Sequence, residues 1–170
     1  ILKARILFPQ AINSVLNADS YDVILGTEGR IAKHFFAAYY ENFEWKGRYP
    51  RVKSDVMNVT LDIGYTILFN FIEAYIRLFG FDPYIGVYHR LWFRRKSLVC
   101  DLMEPFRCLI DQQVRKAFNT KKCKKEDFIL LKNEYHLKHE NNSRYTRMFF
   151  EALIAEKIEI FQFIRDYYRC

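Results

Sequence analysis

Residues 56–79 read VMNVTLDIGYTILFNFIEAYIRLF, a run that is apolar nearly all round, with Val56, Met57, Leu61, Ile63, Ile67, Leu68, Phe71, Ile72, Tyr75, Leu78 and Phe79. A helix on a protein surface keeps one polar face, so a helix lacking one predicts the centre of a bundle. Asp55 is placed to cap it and Gly80 to end it. Glu73 and Arg77 interrupt the run before a membrane-spanning length of uncharged residues accumulates, so no span is expected.

Helical spacing continues outward from this segment. Residues 1–17 carry Ile6, Leu7, Ala11, Ile12, Val15 and Leu16 on one stripe. After a turn at 17–20, with Ser20 or Asp22 as cap, a second helix carries Ile24, Leu25, Ile31, Ala32, Phe35, Phe36 and Tyr39 to about Phe43. Gly26 and Gly29 inside it predict either ordinary tight packing or close approach by a backbone or ligand. Residues 44–54 read as a basic loop broken by Gly47 and Pro50. Downstream, Asp82-Pro83 predicts a short helical piece running to His89, followed by the basic, aromatic loop LWFRRK at 91–96. A helix from Ser97 or Asp101 to about Asn119 and two more, 126–139 and 144–168, complete an all-α, multi-helix bundle.

Composition agrees with that class. The chain has 170 residues, 51% of them hydrophobic and 18% aromatic, which demands a core and excludes general disorder. Six Gly and four Pro are few for a protein of many short strands. Cys100, Cys108, Cys123 and Cys170 lie far apart without a C-x-x-C pair, so neither zinc nor a disulfide framework is expected. A reducing cytosol fits, with Cys100 and Cys108 as small buried apolar groups. The net charge of +7 favours an anionic partner such as nucleic acid, or else marks a basic soluble surface. Lys121, Lys122, Lys124 and Lys125 form the densest block of charge, read as a solvated loop first and a phosphate contact second.

The motifs of P-loop hydrolysis, dinucleotide redox chemistry, serine hydrolases and zinc proteases are all missing. What remains is an acidic and histidine constellation. Asp101 and Glu104, three apart in CDLMEPF, would share one helix face, where like charges persist if solvated, if one is protonated, or if a cation lies between them. Glu28 stands between the two glycines in LGTEGRIA, and His89 stands beside Arg90. By spacing alone these are surface acids and a backbone-bonded histidine as readily as a divalent site. If they converge, two or three carboxylates with one imidazole and no thiolate favour Mg²⁺ or Mn²⁺ over zinc. Arg90, Arg94, Arg95, Lys96 and Arg107 lie close by in sequence to meet phosphates.

Four segments then stand in order: LGTEGRIAKHFF (25–36), SDVMNVTLDIGYTIL (54–68), GFDPYIGVYHR (80–90) and SLVCDLMEPFRCLID (97–111). Together they resemble the catalytic, helical lobe of the CRISPR-associated spacer integrase, the first of the Cas proteins, over roughly residues 1–118, with FIRDYYR (163–169) a looser match to that family's last helix. The resemblance implies a metal-dependent DNA integrase or endonuclease that joins the 3′-hydroxyl ends of captured DNA to a CRISPR repeat by transesterification. It implies Glu28, His89 and Glu104 as ligands of Mg²⁺ or Mn²⁺ in a site between helices, and Asp101 as an auxiliary catalytic carboxylate or a partner of a ligand. Asn58 and Tyr65 match the family's central helix, with packing as the favoured role, and Arg107 and Asp111 match its D-x-x-E-x-x-R…D pattern, or pair with each other. The implied partners are captured spacer DNA and the CRISPR repeat, a homodimer or higher oligomer, and the small second Cas protein, in a prokaryotic cytoplasm. Residues 1–170 are expected to be that helical domain, with the family's preceding strand-rich domain absent, either trimmed or naturally missing. A helical DNA-binding or assembly module without turnover is the alternative.

Overall fold

The computed structural model describes residues 2–43, 45 and 47–169, with side chains for all of these except residues 2–7 and 168. Ile1, Glu44, Lys46 and Cys170 lie outside the described residues, and Ile6 and Leu7 outside the described side chains. The chain divides into two compact units, residues 1–50 and 51–170. In the first, α1 (Leu2–Leu16) and α2 (Tyr21–Tyr39) pack on each other across the turn at 17–20. Ser20 takes the extended N-cap conformation, and beyond α2 the buried Tyr40 ring lies 4.8 Å from Trp45 and 5.1 Å from Tyr39. A Cβ at Gly26 or Gly29 would meet nothing within 4 Å, so close approach at these two positions is not what the structure uses.

The second unit is assembled around α3 (Val56–Leu78). Asp55 caps it as expected, accepting from the Asn58 N–H at 2.8 Å, and Gly80 follows its end at φ +80°. By length and composition α3 could cross a bilayer, but half of its most apolar window is buried inside the unit. It packs against α4 (Ser97–Met103), α5 (Arg107–Asn119), α6 (Asn142–Ala155) and α7 (Lys157–Arg169). Leu61, Leu68, Ile72 and Ile76 of α3 are buried with Val99, Ile110, Val114, Phe149, Leu153, Ile160 and Ile164 from the surrounding helices. The tightest approach is at Gly64, where a Cβ would lie 2.5 Å from Ile110 and 2.8 Å from Phe149. The all-α bundle around a central apolar helix is thus the observed class, with one small β-hairpin set into it.

That hairpin replaces the helix expected over 126–139. Strands β1 (Phe128–Leu131) and β2 (Glu134–Leu137) pair antiparallel, Leu131 opposite Glu134, and Lys132 and Asn133 both take φ near +50 to +65°. Two successive positive-φ residues make the tight turn whose twist suits a hairpin. Its base is held by Asp127, a buried carboxylate that accepts from the Tyr145 hydroxyl at 2.8 Å, the Lys124 N–H at 2.9 Å and the Arg144 guanidinium at 2.7 Å. Burial raises the Asp127 pKa, but these donors outweigh it and hold the carboxyl below its ordinary range. Burial, with Cys123 and Asp127 alongside, pushes the Tyr145 hydroxyl far upward, so it stays a neutral donor. Cys123 is the buried thiol of this core, whereas Cys100 is half-buried and Cys108, expected to be buried, is exposed.

Three further boundaries differ. The expected helix at 97–119 is broken by a single 3-10 turn at Glu104–Phe106, because Pro105 has no N–H to continue the ladder. The expected helix at 144–168 breaks between Ala155 and Lys157, where Glu156 departs from helical geometry. The segment after Pro83 forms turns and bends up to Lys96 in place of a short helix.

Gly64→Ala tests the central packing. The added methyl must displace Ile110 and Phe149, and the expected loss is about 1–3 kcal/mol of stability, read as a lower midpoint in chemical denaturation.

Candidate active site

The irregular segment 84–89 ends in three successive amides taken by one side chain. Asp101, on α4, accepts the N–H groups of Val87 at 2.6 Å and Tyr88 at 3.0 Å on Oδ2, and that of His89 at 3.0 Å on Oδ1. The same Oδ1 lies 2.5 Å from His89 Nδ1. Gly86 makes this approach possible, since a Cβ there would sit 2.7 Å from Asp101 Oδ2 and 2.8 Å from the His89 carbonyl oxygen. Both side chains are largely shielded, 15% exposed for His89 and 7% for Asp101.

Burial raises the Asp101 pKa, but the bond from His89 and the three backbone N–H donors outweigh it, leaving the carboxyl below its ordinary range. An ionised Asp101 can only accept, so His89 Nδ1 carries the hydrogen. In the neutral imidazole the remaining nitrogen, Nε2, then presents its lone pair. Metal-ligating histidines are oriented in this way, with the non-ligating nitrogen bonded to a carboxylate.

Glu104 follows three residues later but serves another partner. Its backbone keeps helical angles at the start of the 3-10 turn, and both its oxygens accept from Arg107 Nη1, at 2.9 and 3.1 Å. The Arg107 guanidinium also lies 4.7 Å from the centre of the Tyr65 ring, and the Tyr65 hydroxyl donates to buried Asp111 at 2.6 Å. Asn58 bonds back to Asp55 beside the helix cap. Glu28 is exposed on α2 in the first unit. Among the described residues, no group of three or more His, Cys, Asp and Glu side chains gathers closely enough to hold a metal ion.

Two features were not legible as parts of the site. Glu73, noted in the sequence only as an interruption of the apolar run, accepts from Lys96 Nζ on both oxygens at 2.8 and 2.7 Å and from Arg77 at 2.8 Å. The Lys96 bond is the main cause of its lowered pKa, opposed by burial and reinforced by Arg77. Lys96 therefore ties the end of the basic loop to α3. Gly86 is the second, one of six glycines and distinguished only by what folds against it. Of the remaining basic residues, Arg94 stacks over Phe93 at 5.0 Å, Lys121 takes φ +57° just past α5, and Lys122, Lys124 and Lys125 follow in the segment that leads to Asp127.

Asp101→Asn removes the ionised acceptor from three amides and one imidazole. The expected outcome is faster hydrogen exchange at Val87, Tyr88 and His89 and a lower thermal midpoint. Because the folded pKa is depressed, the stabilisation is complete above the unfolded carboxylate value of about 4 and is lost as pH falls through the folded value. The gap in midpoint between wild type and Asp101→Asn should close over that acid window.

The family model "CRISPR associated protein Cas1" matches residues 4–151. The CRISPR-associated endonuclease Cas1 3 of Thermus thermophilus is 30% identical over 155 residues, covering 88% of this chain and 46% of that protein. A Cas1 protein of known structure from Thermotoga maritima superimposes with a TM-score of 0.86 at 20% identity, over 94% of this chain and 55% of that one. A chain of a Cas6-RT-Cas1–Cas2 complex gives a TM-score of 0.78 at 25% identity, over 84% of this chain and 17% of its own length. The chain spans less than half the length of the first curated relatives it matches, 36% and 46%. With the family model covering most of its residues, the chain belongs to the Cas1 family of CRISPR-associated proteins.

Proposed function

We propose that this chain supplies the helical catalytic lobe of a DNA integrase and endonuclease of CRISPR adaptation, acting on phosphodiesters with a divalent cation. The observation that carries the reading is the Asp101–His89 pair, which fixes the His89 ring with Nδ1 on the carboxylate and Nε2 on its far side. The donor chemistry suits the cation. One imidazole nitrogen backed by a carboxylate, with the carboxylates of Glu28 and Glu104 and no thiolate, is a set for Mg²⁺ or Mn²⁺. His89 and Glu104 of the second unit would be among its ligands, and when bound it would supply Lewis-acid polarisation of the scissile phosphate.

The chain's own residues do the rest. Asp101 fixes the tautomer and direction of His89 and is a positioning residue in this scheme. Arg107, braced by the Tyr65 ring, holds the Glu104 carboxylate in place through Nη1. Arg90, Arg94 and Arg95 precede α4 and would meet the phosphate backbone, while Lys121, Lys122, Lys124 and Lys125 offer a second basic stretch. In the reaction a DNA 3′-hydroxyl attacks phosphorus in line, a new phosphodiester forms, and the bond to the departing 3′-oxygen breaks. Water in place of that hydroxyl gives strand cleavage.

The Thermus relative is described as an endonuclease, and the complex of known structure joins its Cas1 portion with Cas2. On that basis captured spacer DNA, a CRISPR repeat, a second copy of the chain and Cas2 are the proposed partners, in the cytoplasm of a prokaryote.

Strand transfer with Mn²⁺ tests the reading. Glu104→Ala and His89→Ala are each expected to reduce product by about a hundredfold or more, the scale of one lost transition-state contact. Equal product from the wild type and both variants would overturn it, leaving a helical DNA-binding module.

A further inference from the structure

The loop between His89 and α4 exposes its most apolar residues at its tip. Leu91, Trp92 and Phe93 are 73%, 73% and 82% exposed, consecutive in the chain. A soluble protein gains nothing by holding an indole, a phenyl ring and a leucine together in water, and such patches mark a contact surface. The loop is also fixed rather than trailing. Ser97 Oγ donates to the Arg90 carbonyl at 3.1 Å, the Arg95 N–H donates to the Trp92 carbonyl at 3.0 Å, and the Ser97 N–H donates to the Arg95 carbonyl at 3.0 Å. Lys96, bonded to Glu73, ties its C-terminal end to α3. Arg94 takes φ +58°, a conformation that costs a non-glycine residue energy, and its guanidinium lies over the Phe93 ring.

Charge identifies the partner. Residues 90–96 contain Arg90, Arg94, Arg95 and Lys96 and no acid, so the apolar tip is flanked by cations alone. A protein partner would have to supply matching acids around an aromatic-binding surface. A nucleic-acid strand carries both complements in every residue, a phosphate for the guanidinium and a flat base for the ring. We infer that Trp92 and Phe93 form a stacking platform for an unpaired DNA base, with Arg94 and Arg95 on the adjoining phosphates, three to four residues from His89. This rests on the phosphodiester reading above and deepens it. The site would engage a frayed or single-stranded end rather than closed duplex, because a paired base offers no free face to the rings.

The test is a binding titration in EDTA, so neither metal nor turnover enters. The chain has two tryptophans, and Trp45→Phe leaves Trp92 as the sole indole. Added oligothymidylate is expected to give a saturable change in Trp92 emission. Replacing both Trp92 and Phe93 by Ala should weaken single-strand binding about tenfold or more, the scale of one lost base stack, with Trp92→Phe retaining most of the affinity. Duplex of the same length should change by less than about threefold, while replacing both Arg94 and Arg95 by Ala should weaken both forms and lower the salt slope by about two. If Trp45→Phe fails to fold, quenching of a 2-aminopurine base in the strand gives the same readout with the wild type.

Unchanged emission at saturation, no single-strand binding, or equal losses on single and double strands would each overturn the proposal. An emission change that follows protein concentration without DNA would assign the loop to a second copy of the chain and overturn it as well. Stacking without strand transfer would leave this proposal standing while the catalytic reading fell.

Discussion

The carboxylate of Asp101 accepts three backbone N–H bonds and lies against the imidazole of His89, and the order of the surrounding segment follows from that arrangement. Residues 87–89 lie outside any helix, and a buried carboxylate with fewer donors would carry a desolvation cost of several kcal/mol. The two deficits satisfy each other. The loop gains an acceptor for its amides, and the carboxylate gains enough donors to remain ionised. His89 receives a defined tautomer as a consequence.

The placement of Asp101 depends in turn on how α3 is buried. A helix apolar on nearly every side needs cover, and α4, α5, α6 and α7 supply it along one side while Thr66, Asn70, Ala74 and Leu78 stay exposed. Glu73 is a buried charge in this wall, and its bonds to Lys96 and Arg77 compensate its burial while tying down the residue just before α4. Pro105 then ends α4 one turn after Asp101, and Glu104 bonds Arg107, whose guanidinium lies over the Tyr65 ring. Core and site are therefore not separable: the same four-turn stretch from Ser97 to Asp111 delivers Val99, Leu102 and Ile110 to the core and Asp101, Glu104 and Arg107 to the surface chemistry.

Where the sequence misled, it did so for identifiable reasons. Gly26 and Gly29 flank Glu28 yet stand open, while Gly64 and Gly86 carry the close contacts, because steric demand at a glycine is set by what packs against it and leaves no trace in the neighbouring residues. The hairpin at 128–137 escaped because its turn is Lys132-Asn133, without the glycine that usually marks two positive-φ residues. The burial of Cys123 in place of Cys108 reflects the tertiary knot of Asp127, Tyr145 and Arg144, whose members lie up to eighteen residues apart.

The sequence by itself determined the helical class, the central position of residues 56–78, the Asp55 cap and the family, because periodicity, caps and ordered motifs are local and additive along the chain. It also singled out His89, Asp101 and Glu104 as residues of chemical interest. Only the tertiary structure decided their partners: Asp101 to His89 and its loop, Glu104 to Arg107, Lys96 to Glu73. Hydrogen-bond acceptors and charges are satisfied by whichever donors the packing brings within about 3 Å. That distance is set by the burial of α3 and the break at Pro105, and neither spacing nor residue type encodes it.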